Sequence, residues 1–243
     1  MSPSDGVEAT FRRGFGTLRE VRAVWVWVAG LTAVQLMVEI SGGPNQIPSL
    51  YRALGLTRDG VLSGKVWQLL SYGLLHGNMW HLAINCGLLL GIGASVERML
   101  NARALSAAFA MGVVSGGLFH ALLGTGLLVG ASGGCVALLM LLTTLSPQSR
   151  MFPLPVSAKS LGMGILIAEG LMTGIQFLLG LPRFASWSRE LGDTGLAMWF
   201  QIGHACHFGG GVCGWCLGRW ILRPRVTLAK LQRERARREA RGR

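Results

Sequence analysis

Apolar stretches of membrane-spanning length, separated by short polar loops, restrict this chain's fold more than any other feature of its sequence. They run over approximately 23–40, 79–97, 104–124, 131–145, 160–180 and 201–222. A helix rises ~1.5 Å per residue, so ~20 residues cross a hydrocarbon core ~30 Å thick. Each stretch is near that length, although the fourth is short and the second and sixth contain histidines. Inside lipid, backbone polar groups must be satisfied within the segment, and a helix does this. Composition agrees: 51% of residues are hydrophobic and 14% charged, whereas soluble domains carry about 25% charged residues. A soluble globule is excluded, and 243 residues suffice for one polytopic domain. The expected fold is an all-α membrane protein with six transmembrane helices over 23–222, an N-terminal cytoplasmic segment over 1–22 and a basic cytoplasmic tail over 223–243.

Arg12, Arg13, Arg19 and Arg22 precede the first stretch, as in a signal peptide. The run is longer than a signal's apolar region and lacks a small-x-small cleavage site, so it reads as a retained span. The formal net charge is +12, of which +8 lies between Arg219 and Arg243, where nine Arg and one Lys face Glu234 and Glu239. A basic tail can neutralise nucleic-acid phosphates. Placed directly after an apolar span, it reads instead as a cytoplasmic flank drawn to anionic lipid, so the expected partner is the lipid bilayer and no nucleic acid. Arg98 with Arg103, and Arg150 with Lys159, fall on the tail's side of a six-span topology, and the uncharged 124–131 loop falls outside. Arg52, Arg58 and Lys65 in the 41–66 loop oppose this, while Arg183 and Arg189 in the 181–200 loop are balanced by Glu190 and Asp193. The balance favours both termini inside. The five cysteines (Cys86, Cys135, Cys206, Cys213, Cys216) lie in or beside apolar stretches and imply no disulfide framework. Cys213-x-x-Cys216 reads as two small packing residues rather than a redox pair.

Chemistry concentrates at one depth. Ser132 lies in Gly130-Ala131-Ser132-Gly133-Gly134 at the head of the fourth stretch, His207 lies one or two turns into the sixth, and His81 and Asn85 lie in the first turns of the second. All four fall beneath the outer face. A serine hydroxyl is a weak nucleophile unless a base takes its proton, and His207 suits that role. Gly209, Gly210, Gly214 and Gly218 follow it with small-xxx-small spacing, which lets helix backbones approach closely; Gly210 and Gly214 are the expected helix-packing positions. On this view Gly210→Leu silences the site and Gly210→Ala impairs it partly. His81 and Asn85 are four apart and share a helix face. They are either a hydrogen-bonded pair joining helices or donors to a developing oxyanion, beside the Ser132 amide at a helix N-terminus. His204 is a competing base, and His76 and His120 read as interfacial or packing residues. Glu169, mid-way along the fifth stretch, reads as the one buried acid, kept neutral by burial. No acid is placed to orient His207, so a Ser–His dyad is the economical reading. A nucleophile elbow also fits Gly-x-Ser-x-Gly but needs a preceding strand, which the context lacks. A haem or metal carrier using His81, His204, His207 and the cysteines leaves the glycines around Ser132 without purpose.

In order and spacing, Trp67, His76, His81-x-x-x-Asn85, Gly93, Glu97, Gly130-x-Ser132-Gly133 and His207-x-x-Gly210-x-x-x-Gly214 resemble the rhomboid intramembrane serine proteases over 67–218. The resemblance implies a six-helix bundle with the Ser132–His207 dyad in a water-accessible cavity below the outer surface, and His81 and Asn85 in the oxyanion site. It also implies that the loop before the second span lies partly in the membrane, and that the fifth span and the loop after it form a lateral gate. Three positions depart from the pattern: Gln68 follows Trp67 in place of Arg, Cys206 replaces Ala before His207, and Val136 replaces an aromatic residue four beyond the serine. The first bears on loop stabilisation and the others on the positioning of His207. The expected function is endoproteolysis of transmembrane or membrane-anchored protein substrates in a bacterial cytoplasmic membrane, with no metal or organic cofactor. The alternative within the fold is a catalytically silent client-binding protein. A spanning helix hides its carbonyls in intrahelical bonds, so expected substrates carry Gly, Pro or polar residues in the outer part of their span.

Overall fold

The computed structural model describes residues 21–150, 156–180, 202–224 and 228–241. The chain is an all-α integral membrane protein; among the described residues, extended pairing is limited to isolated bridges. The helices are α1 (Arg22–Ile40), α2 (Pro48–Leu54), α3 (Arg58–Leu62), α4 (Gln68–Ser71, continuing into a 3-10 turn at Tyr72–Leu74), α5 (Met79–Met99), α6 (Ala102–Leu123), α7 (Ser132–Leu145), α8 (Ala158–Leu179), α9 (His204–Ile221) and α10 (Leu228–Arg241). Four of them, α1, α5, α6 and α8, are long and apolar enough to cross a membrane. The other two stretches expected to span differ physically. With 14 residues, α7 is about 21 Å long at ~1.5 Å per residue, and α9 dilutes its 18 residues with five glycines and two histidines. Both are interior helices, so their backbones meet protein more than lipid. The expected basic residues Arg12, Arg13 and Arg19, and the loop proposed as part of a gate, lie outside the described residues.

The 41–66 segment, read from sequence as a loop, holds α2 and α3. Pro48 opens α2 at a position where its missing N–H has no role, and the Thr57 hydroxyl caps α3 by accepting from Gly60 N at 3.0 Å. Leu56 and Leu128 exchange both backbone bonds (3.0 and 2.8 Å), which ties this segment to the 124–131 loop at one end of the bundle.

The centre is built on missing side chains. A Cβ at Gly214 would run into the Ala137 carbonyl oxygen, one at Gly210 into the Gly133 carbonyl oxygen, and one at Gly112 into the Ala137 Cβ. Thus α7 lies with its backbone against both α6 and α9. Lipid tails give helices no hydrophobic reason to associate, so such close van der Waals packing is what holds them. Polar bonds tie the neighbours of α7 together: the Ser115 hydroxyl on α6 donates to the Gly209 carbonyl on α9 at 2.9 Å, and the buried Tyr72 hydroxyl to the Val113 carbonyl on α6 at 2.7 Å.

Glu97 is buried, whereas Glu169, which the sequence reading took as the one buried acid, is half-buried. The two carboxylate oxygens of Glu97 accept from Ala23 N and Val24 N, each at 3.0 Å. These are first-turn amides of α1 that have no intrahelical acceptor, and an anion there also opposes the helix dipole. Gly93, one turn earlier in α5, leaves room for Val24, whose Cγ2 would stand 3.3 Å from an added Cβ. The two matched positions, Gly93 and Glu97, therefore seat α1 on α5. Glu97→Ala should leave two amides unsatisfied and lower stability by about 1–3 kcal/mol, read as an earlier unfolding midpoint in detergent, with Glu97→Gln in between.

Candidate active site

Ser132 is the first residue of α7, and the residues before it fix its approach. Gly130 has φ +122°, and an added Cβ there would meet His81 Cε1 and Nε2 at 2.5 and 2.6 Å. Both the backbone and the neighbouring ring demand glycine. The Gly130 amide donates to the Tyr72 carbonyl at 3.0 Å. Ala131 is the N-cap and offers no side-chain acceptor, so the first-turn amides of α7 have no side-chain cap. Gly133 has its own steric reason, since a Cβ there would meet Cys206 Sγ at 2.7 Å.

His207 enters from the first turns of α9, one turn before Gly210, and its Nε2 lies 2.8 Å from Ser132 Oγ. The backbone contact of Gly210 with the Gly133 carbonyl sets that distance, because it brings the two helices together beside the serine. The other ring nitrogen has a partner too. Glu169 Oε1, on α8, lies 3.1 Å from His207 Nδ1, and Glu169 Oε2 lies 2.6 Å from His204 Nδ1. Sequence reasoning found no acid to orient His207 and read Glu169 as a neutral hydrogen-bonding carboxyl; in the structure it stands between two imidazoles. Its sequence signal was an acid in the middle of an apolar stretch, but the register of α8 against α9 is not written in either helix alone.

His81 is half-buried, with its ring against Gly130 and edge-on to His76 at 5.1 Å. Asn85 is buried; its side-chain nitrogen donates to the His81 backbone carbonyl at 3.0 Å, and its backbone carbonyl receives the Cys135 thiol at 3.7 Å. His81 and Asn85 therefore flank the first turn of α7 from α5. His76, expected at an interface or in packing, is fully buried; burial, then the neighbouring His81, push it down to about 4, so it is neutral at pH 7. His120 is buried against the Gly126 carbonyl.

The departures from the family pattern each have contacts. Buried Gln68 donates to the Arg52 and Ala53 carbonyls (3.1 and 3.3 Å) and accepts from Thr57 N at 3.3 Å, so it fastens the segment between α2 and α3. The Trp67 indole joins it on the Ala53 carbonyl at 3.0 Å. Cys206 is buried with its sulfur 3.3 Å from the Tyr72 hydroxyl, a partner that sequence reading missed. Val136 stands 3.5 Å from where a Cβ of Gly211 would lie, at the α7–α9 contact. Among the described residues, the His, Cys, Asp and Glu group close enough to share an ion is Glu169, His204 and His207, within 4.8 Å of one another and without His81 or a cysteine. The ligand set of the carrier reading is thus not gathered.

A family model described as the Rhomboid domain matches residues 63–224. The curated "Rhomboid protease GluP" of Bacillus subtilis (strain 168) is 25% identical over 216 residues, covering 80% of this chain and 41% of that relative. The chain therefore spans less than half of that relative's length.

The Gly210 contact revises one expectation. Even a methyl group there meets the Gly133 backbone oxygen, so Gly210→Ala should already separate His207 from Ser132. Reaction of the purified protein with a fluorophosphonate should slow at least ~10-fold, since one misplaced ångström can reduce a positioned reaction ~10²-fold. Gly174→Ala, where nothing lies within 4 Å, should label like the parent.

Proposed function

The chain belongs to the rhomboid family, and from that premise we propose that it is an intramembrane serine endopeptidase that cleaves transmembrane or membrane-anchored proteins. The single observation that carries the reading is the 2.8 Å contact between His207 Nε2 and Ser132 Oγ. That is hydrogen-bond distance for a nucleophile and its base. Ser132 Oγ attacks the scissile carbonyl as its proton passes to His207 Nε2. The carbonyl oxygen becomes an oxyanion, met by the Ser132 amide at the N-terminus of α7 with His81 and Asn85 alongside. The C–N bond breaks, His207 returns the proton to the leaving amine, and the substrate's N-terminal part remains as an ester on Ser132. Water, its proton taken by His207, then attacks the ester; the bond from the acyl carbon to Ser132 Oγ breaks, His207 returns the proton to Oγ, and the N-terminal part leaves as a carboxylic acid.

Six spans, the division at residues 22 and 222, and both termini on the cytoplasmic side of a bacterial inner membrane belong to the same reading. The pairing of Leu56 with Leu128 supports it, because it sets the 41–66 and 124–131 segments at one end, next to the serine. The basic α10, whose Arg235 and Glu239 pair at 3.0 Å, suits an anionic lipid surface.

Ser132→Ala and His207→Ala should each abolish cleavage of a transmembrane reporter while leaving detergent stability near that of the parent, and Ser132→Ala should lose fluorophosphonate labelling. A folded parent that neither labels nor cleaves would instead be a silent client-binding protein, and a Soret band would mark a haem carrier. Asn85→Ala removes one oxyanion donor, which typically reduces kcat by ~10²–10³. Reporter kinetics should show that fall with KM little changed; full kcat with a raised KM would make Asn85 a substrate contact.

A further inference from the structure

We propose that Glu169 is a positioning residue for this reaction: its carboxylate fixes the tautomer and orientation of His207, and His204 anchors the carboxylate. The proposal rests on the Ser132–His207 reading and extends the dyad to a chain of four side chains. In order they are His204 Nδ1 to Glu169 Oε2 at 2.6 Å, Glu169 Oε1 to His207 Nδ1 at 3.1 Å, and His207 Nε2 to Ser132 Oγ at 2.8 Å.

The chemistry follows from which atoms can donate. A carboxylate only accepts, and a neutral imidazole carries one N–H. A proton on His207 Nδ1 therefore leaves the Nε2 lone pair facing the serine hydroxyl, as a general base requires. Without the carboxylate nothing selects that tautomer, and the ring can turn about its Cβ–Cγ bond. When His207 takes the serine proton, the same carboxylate faces an imidazolium and stabilises it.

The placement of Glu169 fits this role better than a role in folding. It lies mid-way along α8, where an ionisable side chain is expensive unless paired and marks a functional site by default. The fully buried positions of α8 are Ala158, Gly162 and Thr173, while Glu169 is half-buried with both carboxylate oxygens turned to the α9 histidines. Thr173 reaches only the Glu169 backbone carbonyl, at 2.7 Å. His204 and His207 are three apart on α9 and so project from one face toward α8. One histidine alone would leave a carboxylate oxygen in a low-dielectric site without a donor; the second occupies it and limits rotation of the carboxylate.

The test uses the purified full chain with a transmembrane reporter, comparing Glu169→Gln, Glu169→Ala, Ser132→Ala and His207→Ala. A glutamine keeps the shape of Glu169, but its NH₂ can donate to His207 Nδ1 and so drive the ring proton to Nε2, toward the serine. Exchanging a carboxylate for its amide in a comparable triad reduces kcat by ~10⁴. For Glu169→Gln we expect a kcat at least ~10²-fold lower, KM within about threefold of the parent, and activity no better than Glu169→Ala. A purely structural role would make glutamine clearly better than alanine, and that result, or parental kcat in Glu169→Gln, overturns the proposal. Nitrogen-15 spectra of the parent, labelled at histidine, add a readout that needs no folded variant. His207 should carry its proton on Nδ1, and finding it on Nε2 overturns the proposal as well. If Ser132→Ala and His207→Ala are dead while Glu169→Gln is active, this inference fails and the protease reading stands. If Ser132→Ala still cleaves, the protease reading itself fails.

Discussion

Helices in lipid stay where their backbones can touch, and in this protein everything else depends on the touch between α7 and its two neighbours. Carbonyl oxygens of Gly133 and Ala137 lie where side chains of Gly210 and Gly214 would begin, while Gly112 accepts α7 from the other side. Packing of this kind is a steep function of distance. It therefore restricts the sliding and rotation of α9 on α7, and with them sets the 2.8 Å separation of His207 Nε2 and Ser132 Oγ. A 14-residue helix held by its backbone on two sides can start below the membrane surface. Ser132 stands at its N-terminus.

The polar groups obey a second constraint, that a buried donor or acceptor needs a partner. Glu97 answers the bare amides of α1, Gln68 answers three backbone groups of the segment before α5, and Tyr72 joins that segment to α6 and to Cys206. Each of these side chains reaches across more than ten residues of sequence to a backbone atom. They act as rivets between elements that apolar packing alone would allow to drift.

How much of this could be read from the sequence follows from the range of each signal. The spans were legible because apolarity over ~20 residues is a local property, and α5, α6 and α8 begin and end within two residues of the expected stretches. Ser132, His81, Asn85 and His207 stood out because each is a polar residue at a matching depth or beside glycines, again a local pattern. Glu169 was visible as an anomaly, but its partners were not, since depth along a helix says nothing about which face looks at which neighbour. The helices of the 41–66 segment were missed because α2 and α3 are short and take their definition from Pro48 and Thr57, not from periodicity. Gly210 was read as a packing residue with room for a methyl group; only the position of the Gly133 carbonyl removes that room.

Of the four helices long enough to span, α8 is the least enclosed by protein, and it is the one that carries Glu169. Ser132 and His207 sit on the closely packed pair α7 and α9, whereas the carboxylate that meets His207 sits on the least enclosed of these helices. It follows that a sideways excursion of α8 breaks the contact with His207 without disturbing the serine. If the proposed reading holds, the reactivity of Ser132 would register where this peripheral helix stands, in the manner of an interlock.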